Sequence, residues 1–420
     1  MSYYLVGLNH NTAPLEIRES LSVSQRKLPA HLEALCTYIQ YGVILSTCNR
    51  TEVYLWDDTT GDINASFGDF LRSVSGVELN SIGKYLYFKH DTQVVEHLFR
   101  VASGLESMIL GEHEILGQVK AAYTAARSAG VIGLPLKKLF EAAVKTGRRV
   151  RQETAISQNP LSASSVAVEI ALSNTAGKGK TRLLIIGTGE AGMLVARIAK
   201  TKGIEEIVIA SRSGHNADSI TAGLEVDLVD YAFIEAEMAR ADIIITCTSA
   251  PHYLLCSSKI QKILADRSAK ELVIVDIGVP RNVDPAVAGL RGVLLFNIDD
   301  IGQVCHGNSD KRQQEIKTAQ TIIDQELSRF MEFYRALNVR PIIRSLAEKA
   351  ETIRTRQLDA TLKSLNAELS PEERYKIDAM TKAIVNRILQ DPIGCLKQNS
   401  HNTAYADAAV ELFKLTGGTE

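Results

Sequence analysis

Leu183-Leu184-Ile185-Ile186-Gly187-Thr188-Gly189-Glu190-Ala191-Gly192 is the stretch that decides the fold. An apolar run of four ends in a G-x-G-x-x-G turn, and an apolar helical pattern, Met193 to Lys200, follows at once. In that strand–turn–helix setting each glycine has a task. Gly187 permits the tight turn, Gly189 lets backbone approach a pyrophosphate, and Gly192 lets helix and strand pack closely. The helix N-terminus offers free N–H groups and partial positive charge to phosphates. Gly187, Thr188, Gly189, Glu190, Ala191 and Gly192 are therefore the expected dinucleotide loop.

Working outward, Ile207 to Ala210, Ile243 to Thr246, Leu272 to Val275 and Gly292 to Phe296 are further short apolar runs separated by helical patterns. Such alternation predicts a parallel sheet with helices on both faces, a Rossmann unit over residues 156–300. An NAD-selective site places Asp or Glu at the end of the second strand. Here that end reads Ile209-Ala210-Ser211-Arg212-Ser213, while Glu205 and Glu206 precede the strand. Arg212 can pair with a 2′-phosphate, and Ser211 and Ser213 can donate to it, so NADPH is the expected cofactor.

Upstream, residues 1–155 predict an α+β domain. Tyr3 to Leu8, Gly42 to Thr47 and Thr51 to Trp56 are strand-like, and amphipathic helical patterns run from Thr92 to Leu105 and from Glu112 to Ala129. A connector is expected over Ala155 to Pro160 and a helix over Ser164 to Asn174. Residues 301–420 read as helical. Ile316, Ile323, Phe330 and Leu337 are seven apart, with Ala319 and Phe333 between them. That seam is packed within its own chain or shared with a second subunit. Pro341 is expected to end or kink the helix. Ser370-Pro371-Glu372-Glu373 has the form of a capping box with proline in the first turn, and the helix it opens is expected to stop before Pro392.

Ser46-Thr47-Cys48-Asn49-Arg50-Thr51-Glu52 lies at the end of an apolar strand. A cysteine there, two places from an arginine, can stand at the mouth of a site, and a nearby cation favours the reactive thiolate. Paired with a nicotinamide domain it makes chemical sense. An ester does not easily accept hydride in one step, whereas the thioester formed by thiolate attack does. His97, the one histidine in the Thr92 to Leu105 pattern, suits proton transfer near neutrality, with His10 and His113 as competitors.

Composition excludes several alternatives. At net charge −2 nothing global advertises nucleic-acid binding. Lys137, Lys138, Lys145, Arg148, Arg149 and Arg151 form a local basic cluster that also reads as a solvated helix face. No apolar run approaches the ~18 residues of a membrane span, and the N-terminus lacks a signal-peptide pattern. The six cysteines are scattered without a C-x-x-C pair, which argues against a metal site and a disulfide framework and for a reducing compartment.

Several long motifs then occur in one order: Gly7-Leu8-Asn9-His10-Asn11-Thr12-Ala13-Pro14, Ser46 to Glu52, Val101 to Glu112, Ile115-Leu116-Gly117-Gln118-Val119-Lys120, the glycine loop, and Asp276-Ile277-Gly278-Val279-Pro280-Arg281. Together they resemble the glutamyl-tRNA reductase family, densely up to Asp300 and more loosely beyond. The resemblance implies a substrate, glutamyl-tRNA, and a product, glutamate-1-semialdehyde, on the route to 5-aminolevulinate and tetrapyrroles. It implies Cys48 as nucleophile and His97 as a residue that matters for activity. Thr47, Asn49, Arg50, Ser107, Glu112, His113, Glu114 and Gln118 match its substrate-contact positions, with Arg50 on the free γ-carboxylate. It further implies a V-shaped homodimer, in which a long spinal helix joins the domains and C-terminal helices dimerise. A wide gap between Cys48 and the nicotinamide would be closed by domain movement. Handover of the aldehyde to an aminotransferase follows from the same likeness, while the scattered cysteines point to a cytoplasmic or organelle-interior location. Glu114 stands where the family more often has glutamine, and Gln390-Asp391-Pro392 where a histidine usually precedes the proline by two.

Two other functions remain open on the residues alone. One is a semialdehyde dehydrogenase acting on a free small substrate through the same thioester. The other is a non-catalytic NADPH-binding dimer sensing redox state through Cys48.

Overall fold

The computed structural model describes residues 2–57, 63–156, 162–175, 180–211, 224, 226–265, 267, 271–305, 310–364, 369–399 and 403–415. It divides into two compact units, Ser2–Asp324 and Gln325–Glu420.

The first unit holds two sheets. Strands β1 (Ser2–Asn9), β2 (Tyr41–Ser46), β3 (Arg50–Asp57) and β4 (Tyr87–His90) form an antiparallel sheet in the order β2-β3-β1-β4. Helices pack on it, and Tyr54 of β3 meets Phe140 of helix Leu134–Glu153 edge-on, with ring centroids 5.3 Å apart. β4 escapes a reading of apolar runs because it is a four-residue edge strand whose side chains are half-buried and exposed in turn. β2 and β3 are joined by Thr47, Cys48 and Asn49 alone, so the cysteine sits at a hairpin tip.

The second sheet is wholly parallel, in the order β10-β9-β8-β5-β6-β7. Its strands are β5 (Arg182–Ile186), β6 (Glu206–Ser211), β7 (Asp227–Asp230), β8 (Ile243–Thr246), β9 (Leu272–Asp276) and β10 (Val293–Asn297). Side chains alternate between two cores, as period two requires. Leu183, Ile185, Ile207, Ile209, Ile243 and Ile245 face one core, and Leu184, Ile186, Val208, Ala210 and Ile244 face the other. Leu15 and Ile109, from the chain that builds the antiparallel sheet, are buried in the first of these cores. The order reverses between β5 and β8, which opens the ligand crevice of this topology at the strands' carboxyl ends.

Residues beyond 300 do not all belong to the C-terminal unit. Helix Ile298–Cys305 and the start of helix Asp310–Ser364 pack with the first unit, where Ile301, Ala319 and Ile323 are buried and the Ala155 N–H donates to Glu315 at 2.7 Å. The boundary falls inside the long helix. Ala319 and Ile323 of the heptad seam are thus covered by their own chain, Phe333 is exposed, and the Leu337 side chain lies outside the described residues.

In the C-terminal unit neither helix stops at its proline, against the expectation for Pro392 and the first of the two outcomes expected of Pro341. Helix Asp310–Ser364 runs through Pro341, and helix Pro371–Gln398 runs through Pro392. A helical proline costs about 3 kcal/mol, but apolar burial on either side offsets it here. Val339 and Leu346 flank Pro341, Leu389 and Leu396 flank Pro392, and they form two small cores with Ala409 and Leu415. The capping box forms as expected: Glu373 N–H donates to Ser370 Oγ at 3.3 Å, and Ser370 N–H to Glu373 Oε2 at 2.9 Å. Met380, Ile384 and Ile388, four apart on the same helix, stay exposed. Among the described residues no helix is long and apolar enough to cross a membrane.

Candidate active site

The hairpin tip is held from three sides. Thr47 N–H donates to Arg50 O at 2.8 Å, and the Thr47 hydroxyl accepts from the N–H groups of Asn49 and Arg50 at 3.2 and 3.3 Å. His10 N–H donates to Asn49 O at 2.9 Å, and Arg18 Nη1 donates to Cys48 O at 3.1 Å. The tip therefore has little freedom, and the Cys48 thiol is half-buried within it.

The charge around that thiol differs from the expectation. Arg50 does not stand beside it. In a strand, residues two apart share a face, and Arg50 points with Glu52 and Tyr54 into the protein. Its Nη1 donates to Glu52 Oε1 at 2.7 Å and its Nη2 to the Glu106 carbonyl. Among the described residues the cation hydrogen-bonded to Cys48, through its carbonyl, is Arg18, thirty residues earlier. Burial first, then the Glu112 and Glu114 carboxylates, push the Cys48 thiol up to about 12, and Arg18 opposes them.

Glu52 is the polar centre of the antiparallel sheet, and although it closes the Ser46 to Glu52 motif the sequence alone assigns it no role. It is fully buried. Besides Arg50 it accepts from Tyr54 Oη at 2.6 Å and Tyr87 Oη at 2.5 Å, and His97 Nε2 lies 2.8 Å away. Gly7 makes this possible. It pairs with Glu52 on one side and Tyr87 on the other, and a Cβ there would stand 2.8 Å from Glu52 Cγ. Burial alone would raise the Glu52 carboxyl, but Arg50 and then His97 hold it well below the usual range. Burial, followed by the Glu52 charge, keeps both phenols well above theirs, so they stay protonated and donate. The period-two spacing of Arg50, Glu52 and Tyr54 was the available signal for this cluster; Arg18 had none.

His10 is a poor proton carrier near neutrality. Burial, with Arg50 and Arg18 adding, lowers it to about 4, and its Nδ1 is buried without a partner. Asn49 Oδ1 is likewise buried and unpartnered. His113 is exposed beside Arg151, whose Nη2 donates to Glu112 O at 2.8 Å. Glu112 and Glu114 both titrate high, chiefly through burial, with the Ser107 hydroxyl beside Glu112 and Glu190 adding repulsion at Glu114. Gln118 lies one turn after Glu114 on helix Glu114–Ser128, on the same face. Of the basic cluster, Lys138 and Arg149 are engaged with Glu141 and Glu153 along their own helix.

The crevice at the end of β5 is a cleft of about 370 Å³ bordered by Gly187, Thr188, Gly189, Glu190, Ala191 and Ser211. Gly187 has φ +132, and a Cβ on Gly192 would meet Gly187 O at 2.1 Å, so helix Glu190–Thr201 abuts the turn only because that Cβ is missing. Nothing lies within 4 Å of a Cβ on Gly189, which leaves its backbone open to a ligand. Glycine turn, helix N-terminus and open backbone fit a dinucleotide pyrophosphate. Arg212 and Ser213 lie outside the described residues. Glu114 acts electrostatically on Cys48 and is acted on by Glu190 of the glycine loop, and Arg281 Nη2 joins Glu19 at 2.9 Å across the two sheets.

Fold and cleft define a Rossmann-type oxidoreductase that carries a second, antiparallel sheet with a cysteine hairpin. Three family models match in turn: "Glutamyl-tRNAGlu reductase, N-terminal domain" at residues 6–154, "Shikimate / quinate 5-dehydrogenase" at 169–304, and "Glutamyl-tRNAGlu reductase, dimerisation domain" at 318–415. The chain is 36% identical over 413 residues to a glutamyl-tRNA reductase of Thermodesulfovibrio yellowstonii, covering 96% of each chain. It is 38% identical over 403 residues to that of Carboxydothermus hydrogenoformans, covering 95% of this chain and 89% of the relative. The solved glutamyl-tRNA reductase of Methanopyrus kandleri superposes with a TM-score of 0.51 at 28% identity, covering 97% and 98% of the two chains. This chain belongs to the glutamyl-tRNA reductase family. It is an NADPH-dependent oxidoreductase with the three-part architecture of that family, and the exposed stripe of Met380, Ile384 and Ile388 lies in its dimerisation domain.

Proposed function

We propose that Cys48 takes the glutamyl group from its tRNA and holds it while the carbonyl is reduced. The single observation that carries this reading is the position of Cys48 at a hairpin tip pinned by hydrogen bonds with His10, Arg18 and Thr47. The sulfur attacks the ester carbonyl carbon. A C–S bond forms, the C–O bond to the terminal ribose breaks, and that oxygen leaves with a proton. The glycine loop and Ser211 would hold NADPH, which would supply the hydride that reduces the thioester carbon. The resulting thiohemiacetal collapses with loss of the C–S bond, returning the thiolate and releasing glutamate-1-semialdehyde. This is the first step of the C5 route to 5-aminolevulinate and tetrapyrroles.

His97 and Glu52 form the histidine–carboxylate pair that holds a proton for these steps, with Arg50 keeping Glu52 ionised. Thr47, Asn49, Ser107, Glu112, His113, Glu114 and Gln118 border the glutamyl group, which satisfies the unpartnered Asn49 Oδ1 and His10 Nδ1. A salt bridge from Arg50 to the γ-carboxylate requires its Nη2 to leave the Glu106 carbonyl. Arg212 and Ser213 complete the 2′-phosphate site with Ser211. The labile aldehyde passes to an aminotransferase, and a reducing cytoplasm keeps the thiol free.

The test is mass spectrometry of the chain incubated with glutamyl-tRNA while NADPH is withheld. A glutamyl adduct on the Cys48 peptide, absent in Cys48→Ser together with turnover, is the expected result. Full turnover by Cys48→Ser, or turnover of a free glutamyl derivative in preference to the tRNA ester, would sink the reading.

A further inference from the structure

Helix Leu15–Ser20 lies next to the hairpin, and the reaction steps above assign it no part. Its Arg18 is 2% exposed, among the most deeply buried cations of the chain. Nη1 donates to the Cys48 carbonyl at 3.1 Å, and Nη2 donates to the carboxylate of Asp299. Asp299 belongs to the other sheet's side of the molecule. It stands in the first turn of helix Ile298–Cys305, directly after β10, and its N–H is held by Asn297 Oδ1 at 2.8 Å. A buried guanidinium needs a paired and hydrogen-bonded setting, because leaving it alone in a low dielectric is costly. Among the described residues the carboxylate paired with Arg18 is that of Asp299, so the dinucleotide-binding side completes the setting of a residue that holds the nucleophile's backbone.

The neighbouring residue repeats the link with opposite charge. Glu19 accepts from Arg281 N–H at 2.6 Å, Nε at 2.9 Å and Nη2 at 2.9 Å, and Arg281 follows β9. Two adjacent residues of one short helix thus meet two oppositely charged residues at the ends of two parallel strands. Such a clasp has one register and tolerates little sliding.

We propose that Arg18 is a positioning residue for Cys48, and that Asp299 makes its hold conditional on the docking of the dinucleotide-binding sheet against the antiparallel one. This rests on the reading of Cys48 as the acyl carrier. With Asp299 docked, the guanidinium fixes the Cys48 carbonyl and brings positive charge to the thiol against the negative wall of Glu112 and Glu114. With Asp299 withdrawn, Arg18 is a buried cation without its carboxylate, facing a neutral His10, and it turns to water and releases the hairpin. The sulfur is then most reactive when the dinucleotide-binding sheet is docked, so that the thioester forms beside the cleft that serves its reduction.

The experiment uses the full chain and follows iodoacetamide alkylation of the Cys48 peptide against pH, in the wild type, Asp299→Asn, Arg18→Met and Arg18→Lys. Asp299 is 39% exposed at its side chain and does not touch Cys48, so its asparagine variant can fold while removing only the carboxylate charge. The expected result is an alkylation profile moved to higher pH by about half a unit or more in Asp299→Asn and Arg18→Met. With it comes a kcat about tenfold lower at nearly unchanged KM for glutamyl-tRNA, partly restored in Arg18→Lys. Wild-type alkylation and kcat in Asp299→Asn, beside an inactive Cys48→Ser, would overturn the coupling alone. Turnover that survives Cys48→Ser would remove the acyl carrier and the positioning role with it.

Discussion

The two sheets of the first unit solve their polar problems in opposite ways. The parallel sheet buries an apolar surface on both faces and leaves its chemistry to backbone: a turn, a helix N-terminus, and the missing Cβ atoms of Gly187 and Gly192. The antiparallel sheet buries a charge. Glu52 sits at its centre and draws Arg50, Tyr54, Tyr87 and His97 from two strands and a helix. The backbone site is contiguous in sequence, tolerant of changed side chains and intolerant of added volume. The charged site is assembled from afar, and it should fail when any one partner is left alone.

The sharpest way to break that contrast is Glu52→Leu. It leaves Arg50 buried without its carboxylate, and about 3–5 kcal/mol of stability should be lost, read by urea unfolding followed through Trp56. Wild-type-like stability would mean that the cluster is not the anchor of its sheet. The sign with pH follows from the lowered carboxyl. Because folding depresses the Glu52 pKa below its usual 4.5, its contribution is present above about that pH and is lost as pH falls toward the folded value. Acid should therefore uncover the antiparallel sheet, and Glu52→Leu should flatten that part of the pH dependence.

Gly192→Ala tests the other side. Its Cβ would fall 2.1 Å from Gly187 O, so the helix must withdraw, at about 1–3 kcal/mol. NADPH binding, measured by fluorescence titration, should weaken by about tenfold or more. Glutamyl transfer to Cys48 should persist, because no part of the hairpin is touched. Loss of both activities would show that the two sites are not separable. The smallest effect belongs to the exposed pair Lys138–Glu141 on the helix surface. Lys138→Ala should change stability by no more than about 0.5 kcal/mol, and a larger change in melting would assign that helix face a role beyond solvation.

The same contrast decides what could be read from residues alone. β5, β6, β8, β9 and β10 are legible because strands buried on both faces are continuous apolar runs. β4 and β7 are short edges without such runs. The glycine loop is legible because its parts are neighbours in sequence. The Glu52 cluster joins residues up to forty-five apart, which a single strand's pattern only half discloses. Arg50 was a natural partner for Cys48 by sequence distance, yet strand alternation turns it away and Arg18 takes its place. At Pro341 and Pro392 a local rule met packing on both flanks, and packing won.

Leu15 and Ile109 have a further consequence. They come from the chain that builds the antiparallel sheet, yet they sit in a core of the parallel one, so the two sheets share part of a hydrophobic interior. An opening large enough to hydrate that core exposes residues of both. Amide protons at the hairpin and at the glycine loop should then exchange through one common excursion, and a denaturant should melt residues 2–324 in a single step, with the C-terminal helices free to come apart on their own schedule.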